Sequence, residues 1–219
     1  MLKHQKILLF DFETTGLSGE RDQIIEIGAI LLERIDEKYK VSKELSTLVI
    51  ADRPLPQKII EITHITDDML LRDGVTQEEA FQRFFEMYGD SNTLLVAYNI
   101  LFDLSFLTTL FRKNLAKPYF IIDNDLLDVM AIYKDRHPFP HRLDNVVKTY
   151  QIEIPNTHRA LDDVKATLEG LKKMSLEKDN IEKYVNVLGY NASYGVPRLN
   201  HPKVKLIAQK GGYKEIENS

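Results

Sequence analysis

Hydrophobic positions first gather into three runs, Lys6–Phe12, Ile24–Leu32 and Lys43–Ile50, rich in Ile, Leu and Val. Runs of this length and composition predict strands, and the short connections between them predict an antiparallel meander. Arg53-Pro54-Leu55-Pro56 punctuates the chain, and a short helical stretch is expected around Gln57–Ile62. Thr76-Gln77-Glu78-Glu79 has the form of a capping box, with Thr76 as N-cap. Phe81, Phe84, Phe85 and Tyr88 follow at helical spacing, with Gly89 as the stop. Strands and helices then alternate. A strand is expected over Thr93–Ala97, a helix from about Leu101 to Phe111, a strand over Tyr119–Ile122 and a helix near Asn124–Ile132, with further helices near Leu143–Tyr150 and Arg159–Met174. Strands first, then alternation, predict an α/β fold with a mixed sheet and helices on its faces.

From about Glu177 the pattern changes. The tail carries Tyr184, Tyr190, Tyr194 and Tyr213, with Pro197, Pro202 and Gly211-Gly212. Over residues 196–219 the basic side chains Arg198, Lys203, Lys205, Lys210 and Lys214 outnumber the acids Glu215 and Glu217. Two readings are open: an appendage that touches nucleic acid or a partner, or a strap packed along the body.

Composition narrows the function classes. Of 219 residues 43% are hydrophobic and 28% charged, which disfavours both disorder and a membrane-spanning fold. The early apolar run Ile7–Phe10 is short for a signal-peptide core. Cysteine is absent, so neither a disulfide framework nor a thiolate site is available; a cytoplasmic location is compatible with that. The net charge of −4 argues against a protein that holds nucleic acid by phosphate attraction alone. An acidic protein can still bind a phosphodiester when its carboxylates hold divalent cations.

Several acids stand where acids are costly. Asp11 and Glu13 end the first strand at i and i+2, on one face. Thr14-Thr15-Gly16 follows as a turn whose backbone can approach a ligand; alone, this is also what a strand opening into solvent looks like. Asp103 has Phe106, Leu107 and Leu110 at i+3, i+4 and i+7, so its carboxylate lies on an apolar stripe; a first-turn acid on a helix is the plainer explanation. In His158-Arg159-Ala160-Leu161-Asp162-Asp163, the helical wheel sets Asp163 at the margin of the Ala160/Val164/Leu168/Leu171 face and turns Asp162 away. His158 falls just before the helix. Carboxylates without thiolates suit hard cations, Mg2+ or Mn2+. Two such ions ~4 Å apart can clamp the attacking and leaving oxygens of a phosphodiester, and an unligated histidine can take a proton from water.

Three motifs together are specific. Asp11-Phe12-Glu13-Thr14-Thr15-Gly16-Leu17 resembles the first motif of the DEDD exonuclease superfamily. Val96-Ala97-Tyr98-Asn99 with Phe102-Asp103 and Phe106-Leu107 resembles the second, and His158 to Asp163 the third in its histidine-bearing subclass. In order and spacing the likeness covers roughly residues 5–175 and is nearest in pattern to the proofreading exonucleases of bacterial replicative polymerases. The resemblance implies a ribonuclease H-like fold with a five-stranded mixed sheet over an exonuclease domain, residues 1–175, followed by a C-terminal extension, residues 176–219. It implies 3′→5′ hydrolysis of single-stranded DNA from its 3′ end, with release of nucleoside monophosphates and association with a polymerase subunit. By position, Asp11, Glu13, Asp103 and Asp163 would hold two cations and His158 would be the general base. Phe12, Thr14, Thr15, Gly16, Leu17, His64, Tyr98, Asn99 and Phe102 would line the substrate site, with Leu17 and Phe102 against the last bases; core packing is the alternative for Phe102.

Two positions depart from the pattern. Tyr98 stands where many relatives carry histidine, and His64, in Thr63-His64-Ile65-Thr66, where relatives often have glycine. The rival readings are an exoribonuclease of the same superfamily and a non-catalytic module that keeps the fold.

Overall fold

The computed structural model describes residues 2–154, 158–209 and 214–218. Strands β1 (Lys6–Thr14), β2 (Ile24–Ile35) and β3 (Lys38–Leu48) form the expected antiparallel meander. Strands β4 (Leu94–Ala97) and β5 (Leu126–Asp128) add in parallel beyond β1, so the sheet is five-stranded and mixed, in the order β3-β2-β1-β4-β5.

β1 is central because both its faces are apolar. Leu8, Phe10 and Phe12 face a cluster completed by helices α3 (Gln77–Tyr88) and α4 (Ile100–Asn114) through Phe81, Phe84, Leu107 and Phe111. Ile7 and Leu9 face the opposite cluster, built on α5 (Val129–Arg136), α6 (Leu143–Thr149) and α7 (Ala160–Glu177). Each such side chain, fully buried, stabilises the fold by roughly 1.5–3 kcal/mol. The strand's alternation carries the second series on from Leu9 to Asp11 and Glu13, so both acids emerge on the α7 side. Helices α1 (Gln57–Thr63) and α2 (Asp67–Asp73) cover a smaller cluster of Ile25, Leu48, Leu55, Ile65 and Leu70. Thr76 caps α3 as expected, accepting from the Glu79 N–H at 3.2 Å; the Glu79 carboxylate turns to Arg83 instead of completing the box.

One stretch differs from expectation. Tyr119–Ile122 forms no strand, and the next helix begins at Val129 rather than near Asn124. Tyr119 is 92% exposed, whereas Leu126 and Leu127 are completely buried and pair with Leu95 and Val96. Asn124 is held outside any helix by its side chain, which meets the Tyr88 hydroxyl, the Asp90 carbonyl and the Thr93 carbonyl. An apolar run loses to a neighbouring one when only the latter reaches the free edge of β4.

The described part of the tail is a strap on the body. A 3-10 turn, Ile181–Tyr184, leads to β6 (Val187–Tyr190), which pairs in parallel with β7 (Lys205–Ala208). Ile181, Tyr184, Leu188 and Ile216 are buried in the two clusters, and the Tyr184 hydroxyl donates to Asp135 at 3.0 Å. Tyr194 is exposed; Lys210, Gly211-Gly212 and Tyr213 lie outside the described residues. Among the described residues no helix is long and apolar enough to cross a membrane.

Candidate active site

The acids meet where the sheet changes sense. β1 has an antiparallel neighbour on one side and a parallel one on the other, and crevices at such switch points are the usual ligand sites of open α/β sheets. A bulge between Glu13 and Thr14 ends the regular pairing of β1 with β2 and bends the strand as it leaves the core. Helix α7 crosses β1 and β2 and brings Asp163, 8% exposed, onto the side of Asp11 and Glu13; Asp162 is half-buried. Helix α4 brings Asp103 in its first turn, 2% exposed, and the Phe12 N–H donates to its Oδ1 at 3.2 Å. His158 is exposed. One ligand atom each from Glu13, His158 and Asp163 lie within 4.8 Å of one another.

Burial and mutual repulsion raise these carboxyls. Asp11 is pushed to about 7 by burial and then by Glu26. Glu13 is pushed to about 9 by burial, then by Asp11, Asp163 and Glu26, with Arg159 opposing. Asp103 is raised well above the usual carboxylate range by burial and by Asp11. Acids held this close without cations retain protons. Divalent cations would relieve that, and the carboxylate oxygens suit hard ions.

Two further acids support the site without having been singled out in the sequence. Glu26 on β2 is 1% exposed, sits opposite Glu13 in register, and takes a bidentate contact from Arg159 at 2.7–3.1 Å and the Ala160 N–H at 3.0 Å. It therefore seats the start of α7, and with it Asp163. Its signal was a lone charge inside the apolar run Ile24–Leu32. Asp128 caps α5 through the Met130 N–H and accepts the Asn99 N–H at 2.9 Å, tying the end of β5 to the turn before α4.

On the substrate side, the Thr14–Leu17 turn is braced internally. Thr14 Oγ1 donates to the Gly16 carbonyl at 2.7 Å, and Thr15 Oγ1 accepts the Gln23 N–H at 3.0 Å. A Cβ at Gly16 would run into the Asp22 carboxylate. The turn projects Leu17, 86% exposed. Phe102 is half-buried and packs on Phe106 at 5.2 Å, so it borders the core as well as the opening. His64, Asn99 and His158 all take left-handed backbone, φ 58°, 67° and 53°. Glycine adopts that conformation without steric cost, whereas a histidine is strained there. The Phe12 ring lies in the core against Phe10 and Phe84, and its N–H donates to Asp103.

Residues 8–171 match the RNase T family of exonucleases. The chain belongs to that family. It is 35% identical over 222 residues to the PolC-type DNA polymerase III of Bacillus subtilis, covering 96% of this chain and 14% of the polymerase. To the corresponding polymerase of Clostridium perfringens it is 36% identical over 178 residues, covering 78% of this chain and 12% of the relative. The chain thus spans a small part of those polymerases. It is 32% identical to the DNA polymerase III subunit epsilon of Treponema pallidum over 176 residues, 76% of this chain and 75% of that subunit. In fold it is similar to zinc-bound E. coli exonuclease I in complex with single-stranded DNA, with a TM-score of 0.71 at 22% identity, over 83% of this chain and 43% of that one. Family membership makes this an exonuclease domain, of a class that normally uses divalent metals, and the structural likeness gives it a ribonuclease H-like fold.

Proposed function

We propose that this chain removes nucleotides from the 3′ end of single-stranded DNA, releasing nucleoside monophosphates, and that it acts as a proofreading exonuclease beside a DNA polymerase in the cytoplasm. The observation that supports the reading is the approach of ligand atoms of Glu13, His158 and Asp163 to within 4.8 Å of one another, with Asp11 close enough to raise both Glu13 and Asp103. The four carboxylates would hold two divalent cations, Mg2+ or Mn2+, which when bound neutralise the phosphodiester's charge and orient water and leaving group. His158, exposed beside Glu13 and Asp163, accepts a proton from water as its oxygen attacks phosphorus. The bond from phosphorus to the 3′ oxygen breaks, and that oxygen is protonated as it leaves. The backbone of the Thr14–Leu17 turn holds the terminal nucleotide, with Asn99 and His64 at the rim, and Leu17 and Phe102 bear on the last bases.

The test is digestion of 5′-labelled single-stranded DNA and matched RNA with Mg2+ or Mn2+, beside EDTA and Asp163→Ala controls. A ladder shortening from the 3′ end of DNA is expected, abolished in both controls. A ladder on RNA alone would move the substrate to RNA, and no ladder on either would end the proposal. His158→Ala should lose most of the rate at pH 8; full rate there would reassign the proton acceptor.

A further inference from the structure

The loop between α5 and α6, residues 137–142, takes no part in the chemistry above, yet it borders the acids. Parallel pairing sets Leu9 of β1 beside Val96 of β4. Tyr98 directly follows β4 as that strand ends beside β1. Alternation puts Asp11 on the α7 side of β1, and Tyr98 packs on that same side against the Ile7/Leu9 cluster. The Tyr98 hydroxyl donates to the His141 carbonyl at 2.7 Å. The His141 ring in turn meets the His137 carbonyl at 2.9 Å, and the His137 ring meets the Tyr150 hydroxyl at 2.7 Å. Tyr150 donates to Glu177 at the end of α7, at 2.6 Å. Hydrogen bonds therefore hold the loop to β4 on one side and to α7 on the other.

Outward, this tethered loop presents Phe139, 82% exposed and edge-on to His141, and the exposed Arg142, whose side chain makes no capping bond to α6. An exposed aromatic ring and an exposed guanidinium on one short loop suit single-stranded nucleic acid: the ring stacks on a base of any sequence, and the guanidinium pairs with phosphate oxygens. The direction of the strand follows from the site. The Thr14–Leu17 turn leads from β1 toward β2, whereas Tyr98 and the loop lie on the β4 side. A strand whose 3′ nucleotide rests in that turn and which continues past Asp11 away from β2 reaches the side on which Tyr98 and the loop lie.

We infer that Phe139 and Arg142 form a binding wall for the nucleotides on the 5′ side of the scissile bond, with Tyr98 as the positioning residue that holds the wall in place. This rests on the exonuclease reading above.

The experiment compares kcat/KM on thymidine dinucleotide and hexanucleotide. The intact protein should favour the hexamer by about tenfold or more, the factor that stacking one base supplies. In the double variant Phe139→Ala/Arg142→Gln the preference should shrink to about twofold or less, and Tyr98→Phe should raise KM on the hexamer with kcat kept. An unchanged hexamer preference in the double variant overturns the inference. A second readout needs no variant and no turnover: in EDTA, an oligonucleotide with 5-iodouracil three positions from its 3′ end is photo-crosslinked to the intact protein. The crosslinked peptide should contain Phe139, and a crosslink only elsewhere refutes the wall. If the intact protein cleaves neither oligomer, the exonuclease reading falls on its own, and the crosslink still decides the wall.

Discussion

Glu13 holds its proton up to about pH 9 and Asp11 to about 7, against unfolded values of 4.5 and 3.8. Between those limits the folded state binds more protons than the unfolded one, so stability falls as pH rises. The metal-free protein should therefore melt at progressively lower temperature from pH 5 to pH 9, and Mn2+ should restore the loss most strongly at the alkaline end, because ligation displaces those protons. Thermal melts in EDTA and in Mn2+ across that range check both signs. Asp163→Ala removes one of the charges that raise Glu13. In EDTA at pH 8 this variant should melt higher than the parent, by about 3 °C, while losing the Mn2+ response; a lower melting temperature would mean the acids do not repel as placed. Such a gain in stability with loss of function is expected where like charges are gathered for chemistry. At this scale the sequence was informative wherever an acid broke an apolar pattern, as Asp103 does on its helix. It was silent on which acids touch, since Glu13 and Asp163 lie far apart along the chain.

The element that decides the site is α7, whose seating on the sheet depends on two features of β2. Glu26, 1% exposed, binds Arg159 and the Ala160 N–H. Gly28 lies so close that a Cβ would run into the Ala160 and Leu161 backbone. Glu26→Gln should destabilise by about 2 kcal/mol, less than a fully buried pair because Arg159 is 38% exposed. Gly28→Ala should cost about 2 kcal/mol through overpacking. Both should lower nuclease activity beyond their effect on folding, since each shifts Asp163; urea denaturation beside activity at saturating substrate separates the two effects. The meander, α3 with its Thr76 cap, and the spans of α6 and α7 were legible because each has an unambiguous apolar period. The stretch 119–128 was not: two apolar runs competed for one strand, and the choice lay with the β4 edge and the Asn124 side-chain bonds.

Over the whole molecule, the strap adds to the core rather than hanging from it. Tyr184, 1% exposed, packs in the α7-side cluster and donates to Asp135, so Tyr184→Ala should destabilise by about 3 kcal/mol. The shift would appear as a lower urea midpoint with an unchanged slope. The tail's composition left strap and appendage open, because aromatic and basic residues serve both and burial is a property of the folded chain. By itself the sequence determined the α/β class, the antiparallel meander and the acids that local patterning marks as out of place, for these follow from periodicities of two and 3.6 residues. Tertiary structure alone decided that β1 lies between an antiparallel and a parallel neighbour, that Glu26 seats α7, and that Glu13 of β1 meets His158 and Asp163. Those are contacts between distant segments, fixed by which apolar faces cover one another, and no local period encodes them.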